Sequence, residues 1–186
     1  MSAALTQAGG KRRDGGMTML ELMISIAVIL IISAVTIPRV IPMLETYRIE
    51  GDARTLASQL ALARMEASAN FTNAEMLVTP ASNSYQIELF QNNAWQPQNP
   101  TYSLSTGDSF SLNNLPGPAG TQSALQQSTT IIFDSRGIVV DNNGIPTGND
   151  AVYLAGANGE SYAVTVDAGG KATIWKLSAG TWTNLD

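Results

Sequence analysis

The chain has 186 residues, enough for one domain plus an anchor, and carries 10 basic against 15 acidic residues. It contains no Cys and no His, which excludes disulfides, thiolate metal centres and histidine acid–base chemistry.

The N-terminal stretch opens with a basic cluster, Lys11-Arg12-Arg13, followed by Asp14 and Gly15-Gly16. From Met17 to Ile37 there are 21 residues, of which Glu21 is the only charged one. A helix needs about 20 mostly apolar residues to cross a bilayer, whereas a cleaved secretory signal has an apolar core of about 7–15 residues before a small-x-small site. The far end here, Val35-Thr36-Ile37-Pro38-Arg39, is a poor small-x-small match. The segment is therefore expected to be retained, with the cluster at 11–13 on the cytoplasmic side and the remainder across the membrane. A plain signal anchor is the simpler alternative.

Glu21 sets this segment apart. A carboxylate deep in a membrane helix costs about 2.5–3.5 kcal/mol and calls for a partner. No Lys, Arg or His lies between Met17 and Pro38. Cleavage after Gly16 would create an α-amino group at Met17, placed to pair with Glu21 of a neighbouring subunit shifted along an axis. The competing reading is a shallow glutamate that snorkels to the headgroups.

Past the apolar run, Pro38 and Pro42 are expected to bend the helix. Residues 43–70 are rich in Ala, Leu, Arg and Glu. Leu56, Leu60, Ala63 and Ala67 fall on one helical face, and Ala53, Ala57 and Ala61 permit close approach. Glu45, Arg48, Glu50 and Asp52 are expected to face solvent or other subunits.

Beyond residue 70 the period changes to that of strands. Runs at 75–79, 85–91, 129–133, 137–140, 152–154, 162–166, 172–177 and 181–183 read as β-structure, with turns at Asn92-Asn93 and Asp167-Ala168-Gly169-Gly170. Segments 96–100 and 115–127 read as surface loops.

Chemistry-bearing motifs are scarce. There is no Gly-x-Ser-x-Gly elbow, no phosphate-binding glycine loop and no metal-ligand spacing. The 141–150 loop, with Asp141, Asn143 and Asp150, offers oxygens for calcium but not at EF-hand spacing, and turn chemistry explains Asn142-Asn143-Gly144 without a metal. Tyr153, Tyr162, Trp175 and Trp182 read as sheet packing. No catalytic residue, cofactor or metal site is expected.

The leader and its junction, Gly15-Gly16-Met17-Thr18-Met19-Leu20-Glu21-Leu22, resemble the type III signal of type IV pilins and pseudopilins. Met17 stands where the family usually has Phe, and Met19 where it has Leu. The resemblance implies cleavage between Gly16 and Met17 by a prepilin peptidase, N-methylation of Met17, a need for Glu21 in assembly, and a helix kink at Pro38. Farther on, Arg64-Met65-Glu66-Ala67, Phe133-Asp134-Ser135-Arg136-Gly137 and the 162–174 region are similar to elements of the GspH/FimT pseudopilins. The fold this resemblance implies is α+β and pilin-like, with a long bent N-terminal helix packed on an antiparallel β-sheet head. Its expected parts are a cleaved leader (1–16), a transmembrane assembly segment (17–38), an amphipathic helix (39–70) and a periplasmic head (71–186).

The function so implied is that of a minor pseudopilin of a type II secretion pseudopilus, in the bacterial inner membrane. A minor type IV pilus pilin for pilus assembly, adhesion or DNA uptake is the alternative. The implied partners are the prepilin peptidase, other pseudopilins or pilins through the N-terminal helix, and the inner membrane. Residues 71–186 hold only Arg136, Lys171 and Lys176 against nine acids, so no nucleic acid is expected as a partner.

Overall fold

The computed structural model describes residues 17–111, 117–118, 126–148 and 150–185. The leader, Gly16 included, and most of the 115–127 loop lie outside the described residues. The chain divides into two compact units, with the boundary between Val40 and Ile41.

Helix α1 is assigned from Met19 to Ala69. Its start carries the Thr-x-x-Glu pattern of a capping box. The Glu21 N–H donates to Thr18 Oγ1 at 3.2 Å, and an acid three residues after a Thr cap is the expected partner in such a box. In the first unit α1 contains an 18-residue window of mean hydropathy 2.6, none of it buried. Its hydroxyl groups are turned inward to the backbone: Ser25 donates to the Glu21 carbonyl, Ser33 to Ile29 and Thr36 to Ile32, at 2.8–2.9 Å. Such back-bonding satisfies these three hydroxyls within the helix itself. Helical residues continue through Pro38 and Pro42.

The second unit holds the remainder of α1 and twelve described strands. The first sheet contains β1 (Ala74–Thr79), β2 (Ser84–Gln91), β3 (Ala94–Pro97), β7 (Thr130–Phe133) and β8 (Val139–Val140) in the order β3-β2-β1-β7-β8, with β4 (Tyr102–Ser103) also on β2. The second contains β5 (Ser109–Phe110), β9 (Asp150–Ala155), β10 (Ser161–Val166), β11 (Ala172–Ser178) and β12 (Thr181–Asn184) in the order β12-β11-β10-β9-β5. Strand β6 (Gln126–Gln127) joins β9 in parallel; the other pairings are antiparallel. The head is β-structure packed on α1 as expected, with its strands divided between two sheets; β4, β5 and β6, each two residues long, are not among the expected runs. Strand β3 likewise extends to Pro97, into the expected 96–100 loop. Pro is tolerated there because β3 is an edge strand.

Alternation settles which faces pack. Ala74, Met76 and Val78 lie opposite Leu89, Ile87 and Tyr85, and all six belong to the core with Ile131 and Phe133. From the second sheet come Val152, Leu154, Tyr162, Val164, Val166 and Ile174. The helix contributes Ile49, Ala53, Leu56, Leu60, Ala63 and Ala67, each buried. Fully burying a large aliphatic side chain is worth about 1.5–3 kcal/mol, so this stripe makes the C-terminal part of α1 integral to the head. At Asn92-Asn93 both residues have positive φ, 53° and 62°, the conformation a two-residue hairpin turn requires.

Candidate assembly segment and head junctions

Met17 and Glu21, the residues that the sequence reading ties to processing and assembly, stand at the exposed end of α1. Met17 precedes the helix and Glu21 lies in its first turn, where a carboxylate also favours the helix dipole. The large apolar side chains around them, Met19, Leu20, Leu22 and Met23 among them, are exposed.

In the head, three sequence motifs meet at one junction. The Arg64 Nε–H donates to the Gly137 carbonyl at 3.1 Å, which joins the Arg-x-Glu-Ala end of the helix to the Phe-x-x-x-Gly turn. Gly137 has φ +75°, and a Cβ there would stand 2.9 Å from Arg64 Nε. Gly170, in the β10–β11 turn, has φ +76°, and a Cβ there would stand 2.6 Å from the Gly137 carbonyl oxygen. Both positions therefore need glycine for conformation and for space. Asp134 fixes the intervening turn: its Oδ1 accepts the Arg136 and Ile138 N–H groups at 2.9 and 3.0 Å, and its Oδ2 pairs with the Arg136 guanidinium at 2.7 Å. Glu66 takes no part in this junction; it accepts from the Asn70 side-chain amide at 3.0 Å.

Two carboxylate pairs escape a reading by periodicity. Glu75 and Glu88 face each other across β1 and β2, and both are buried. The Gln86 side-chain amide donates to Glu88. Burial, then the Glu88 charge and a hydrogen bond with Glu88, push the Glu75 carboxyl up to about 7. The second pair ties α1 to the 104–108 segment. Asp52 accepts from the Ser105 N–H at 2.7 Å and from the Ser105 hydroxyl at 3.1 Å, so it does not face solvent as the sequence reading expects. Burial, then the Asp52 charge, push Asp108 up to about 6, against the opposing Ala157 N–H and Arg48. Strand alternation gives no sign of either pair, since each depends on which strands and loops become neighbours. The Thr18-x-x-Glu21 cap, by contrast, is legible as a motif.

The 141–150 loop is held by turn chemistry. Asp141 Oδ1 accepts the Asn143 and Ile145 N–H groups, both at 2.8 Å. Asp150 accepts from the Ser128 and Thr147 hydroxyls at 2.8 and 3.3 Å. Among the described residues no group of three or more acidic side chains is arranged to hold a metal; Asn149 lies outside the described residues. The aromatic residues pack within the second sheet: Tyr153 lies 6.1 Å from Trp182, the Trp175 Nε1–H donates to Thr165 at 2.9 Å, and Lys176 stands 5.3 Å from the Tyr162 ring centre.

Comparison with known proteins adds two sequence matches. Residues 11–37 match the prokaryotic N-terminal methylation motif. Residues 52–170 match the family described as type II transport protein GspH, a span that includes Arg64, Gly137 and Gly170. No curated protein sequence matches the chain. Among solved structures, one of the minor pseudopilin EpsH from the type 2 secretion system of Vibrio cholerae is 17% identical with a TM-score of 0.48, covering 72% of this chain and 98% of that one. A second structure of EpsH from the same organism is 14% identical with a TM-score of 0.38, covering 74% and 92%. The GspH match spans more than half of the sequence, and the chain belongs to the GspH family of type II transport proteins.

Proposed function

We propose that this chain is a minor pseudopilin that enters the inner membrane as a precursor, loses residues 1–16 to a prepilin peptidase, and is incorporated through α1 into a periplasmic type II secretion pseudopilus. The observation that carries this reading is the presence, on one chain, of a methylation motif at 11–37 and a GspH head at 52–170. The first supplies the processing site and anchor; the second is the part that neighbouring subunits and the export machinery meet.

Each step rests on particular residues. Gly15-Gly16 presents a backbone without side chains to a narrow peptidase site. The basic cluster at 11–13 holds the leader on the cytoplasmic side, which puts the head in the periplasm. Cleavage frees the Met17 amine, which is then methylated, and the Glu21 carboxylate pairs with that amine on an adjacent subunit. Pro38 and Pro42 each withdraw one i→i−4 donor, at the carbonyls of Ala34 and Pro38, and make that stretch the place where the helix yields. The role is structural rather than enzymatic, and work for assembly comes from another protein.

Mass spectrometry of the membrane-extracted protein tests the processing. The expected N-terminus is N-methylated Met17, and Gly16→Phe should accumulate the uncut precursor in the membrane. An N-terminus beyond Pro38 would mean an ordinary signal peptide and end the pseudopilin reading.

A further inference from the structure

The exposed flank of α1 and the start of β11 enclose an open groove of about 940 Å³. Ala57, Ala61 and Ile174 contribute to its apolar lining, and three cations, Arg54, Arg64 and Lys171, stand around it. From residue 41 onward the chain has 13 acidic and 6 basic residues, so positive charge gathered in one place stands out. Most of the remaining cations are engaged: Arg136 pairs with Asp134 at 2.7 Å and Lys176 with Glu160 at 3.3 Å. Within the groove Arg54 pairs with Glu50 at 2.7 Å. Lys171 uses its backbone N–H on Asp167, and its ammonium has no hydrogen bond or ion pair among the described residues. Arg64 uses only Nε, on Gly137. That bond fixes the plane of the guanidinium and leaves its two terminal nitrogens, the fork that matches a carboxylate, without a partner among the described residues.

We propose that this groove seats an acidic segment of a neighbouring pseudopilin, with one carboxylate of that segment bridging Arg64 and Lys171. The inference rests on the pseudopilin reading and names the surface by which the head, as distinct from the membrane helix, selects its neighbour. The small residues Ala57 and Ala61 let a backbone approach α1 closely. The two unpartnered cations supply orientation and exclude basic partners. An extended polyanion is a poor fit, because a nucleic acid needs a cation at each phosphate contact and would lie against an acidic head.

The test is photocrosslinking of the full-length chain in cells that assemble the secretion machine, with the crosslinking residue at Ala61 in the groove or, as an assembly control, at Ile26. The expected result is an Ala61 adduct with another pseudopilin, mapped to a peptide containing Asp or Glu. Lys171→Glu should lower that adduct at least about fivefold while the Ile26 adduct persists, and changing the partner's acid to Lys should restore it. The inference is overturned if Lys171→Glu leaves the Ala61 adduct unchanged. It is equally overturned if the adduct maps to a segment without a carboxylate, to a second copy of this chain or to nucleic acid, or if Ala61 gives none while Ile26 does. Failure at both positions in the parent would instead sink the pseudopilin reading, and the inference with it.

Discussion

Residues 19–40 and 49–67 belong to the same helix, yet their apolar side chains meet different fates. Met19 and Ile31 are 83% and 67% exposed, whereas Leu56 and Leu60 are 0% and 1% exposed. The first stretch is apolar apart from Glu21, Arg39 and a few hydroxyl residues and finds no cover among the described residues; the second has one apolar stripe, buried in a core shared with both sheets. A largely apolar helix with no cover is made for another solvent; in the proposed function that solvent is a bilayer and then the helices of adjacent subunits. An amphipathic helix is made for its own domain. Substitutions should therefore separate cleanly, with head stability controlled by the second stretch and membrane retention and assembly by the first.

The largest expected effect comes from removing the helix. A fragment starting at Glu45 keeps Ile49 to Ala67 and should be a soluble domain whose circular dichroism shows β-structure with one helix. A fragment starting at Phe71 lacks the whole buried stripe and should aggregate. Spectra of the Glu45 fragment dominated by helix would contradict the two-sheet head.

Point substitutions sharpen the same contrast. Leu60→Ala should lower head stability by about 2–5 kcal/mol in urea unfolding. Ile31→Ala, in the uncovered stretch, should leave the unfolding of the head unchanged. Equal losses at both positions would mean that the two stretches do not divide as described.

A smaller effect concerns pH. The folded head holds the Glu75 proton up to about pH 7, above the ordinary value of 4.5. The folded state therefore binds more protons than the unfolded one in this window. Stability from this group is fully present below about pH 4.5 and is lost as pH rises through 7. Asp108 acts in the same direction between its ordinary 3.8 and about 6. Urea unfolding at pH 5 and pH 8 should show the head more stable at pH 5. Glu75→Gln should remove much of the difference, with a gain at pH 8 of roughly 2–3 kcal/mol at about 1.4 kcal/mol per pKa unit. An unchanged slope would show that Glu75 is ionised in the folded head.

Gly137→Ala should have the smallest effect, about 1–2 kcal/mol from the positive φ, increased if Arg64 cannot shift from the new methyl group. Thermal unfolding that matches the parent would show that the Arg64 junction tolerates a side chain at Gly137.

Legibility differed between the same regions. The helix stripe Leu56, Leu60, Ala63 and Ala67 could be read because its burial follows a local 3.6-residue period. Strands β1, β2, β9, β10 and β11 could be read from runs of β-branched and aromatic residues between turn signals. Strands β4, β5 and β6 could not, since each is two residues long and exists only through a partner distant in sequence. For the same reason the cation count over 71–186 missed that Arg54 and Arg64 from the helix share a groove with Lys171. The motifs around Arg64 and Gly137 were visible as separate signatures, but their hydrogen bond spans 73 positions and needed the fold to bring them together.

The most direct test of the division is Glu21→Val, which removes the only charged side chain of the 17–37 segment and leaves every residue of the head unchanged. The variant should be cut after Gly16, remain in the membrane, show parental unfolding of the head, and be absent from sheared filaments that contain the other pseudopilins. Incorporation into filaments at the parental level would contradict the pairing of Glu21 with the Met17 amine, and with it the claim that the first stretch of α1 is completed by neighbouring subunits.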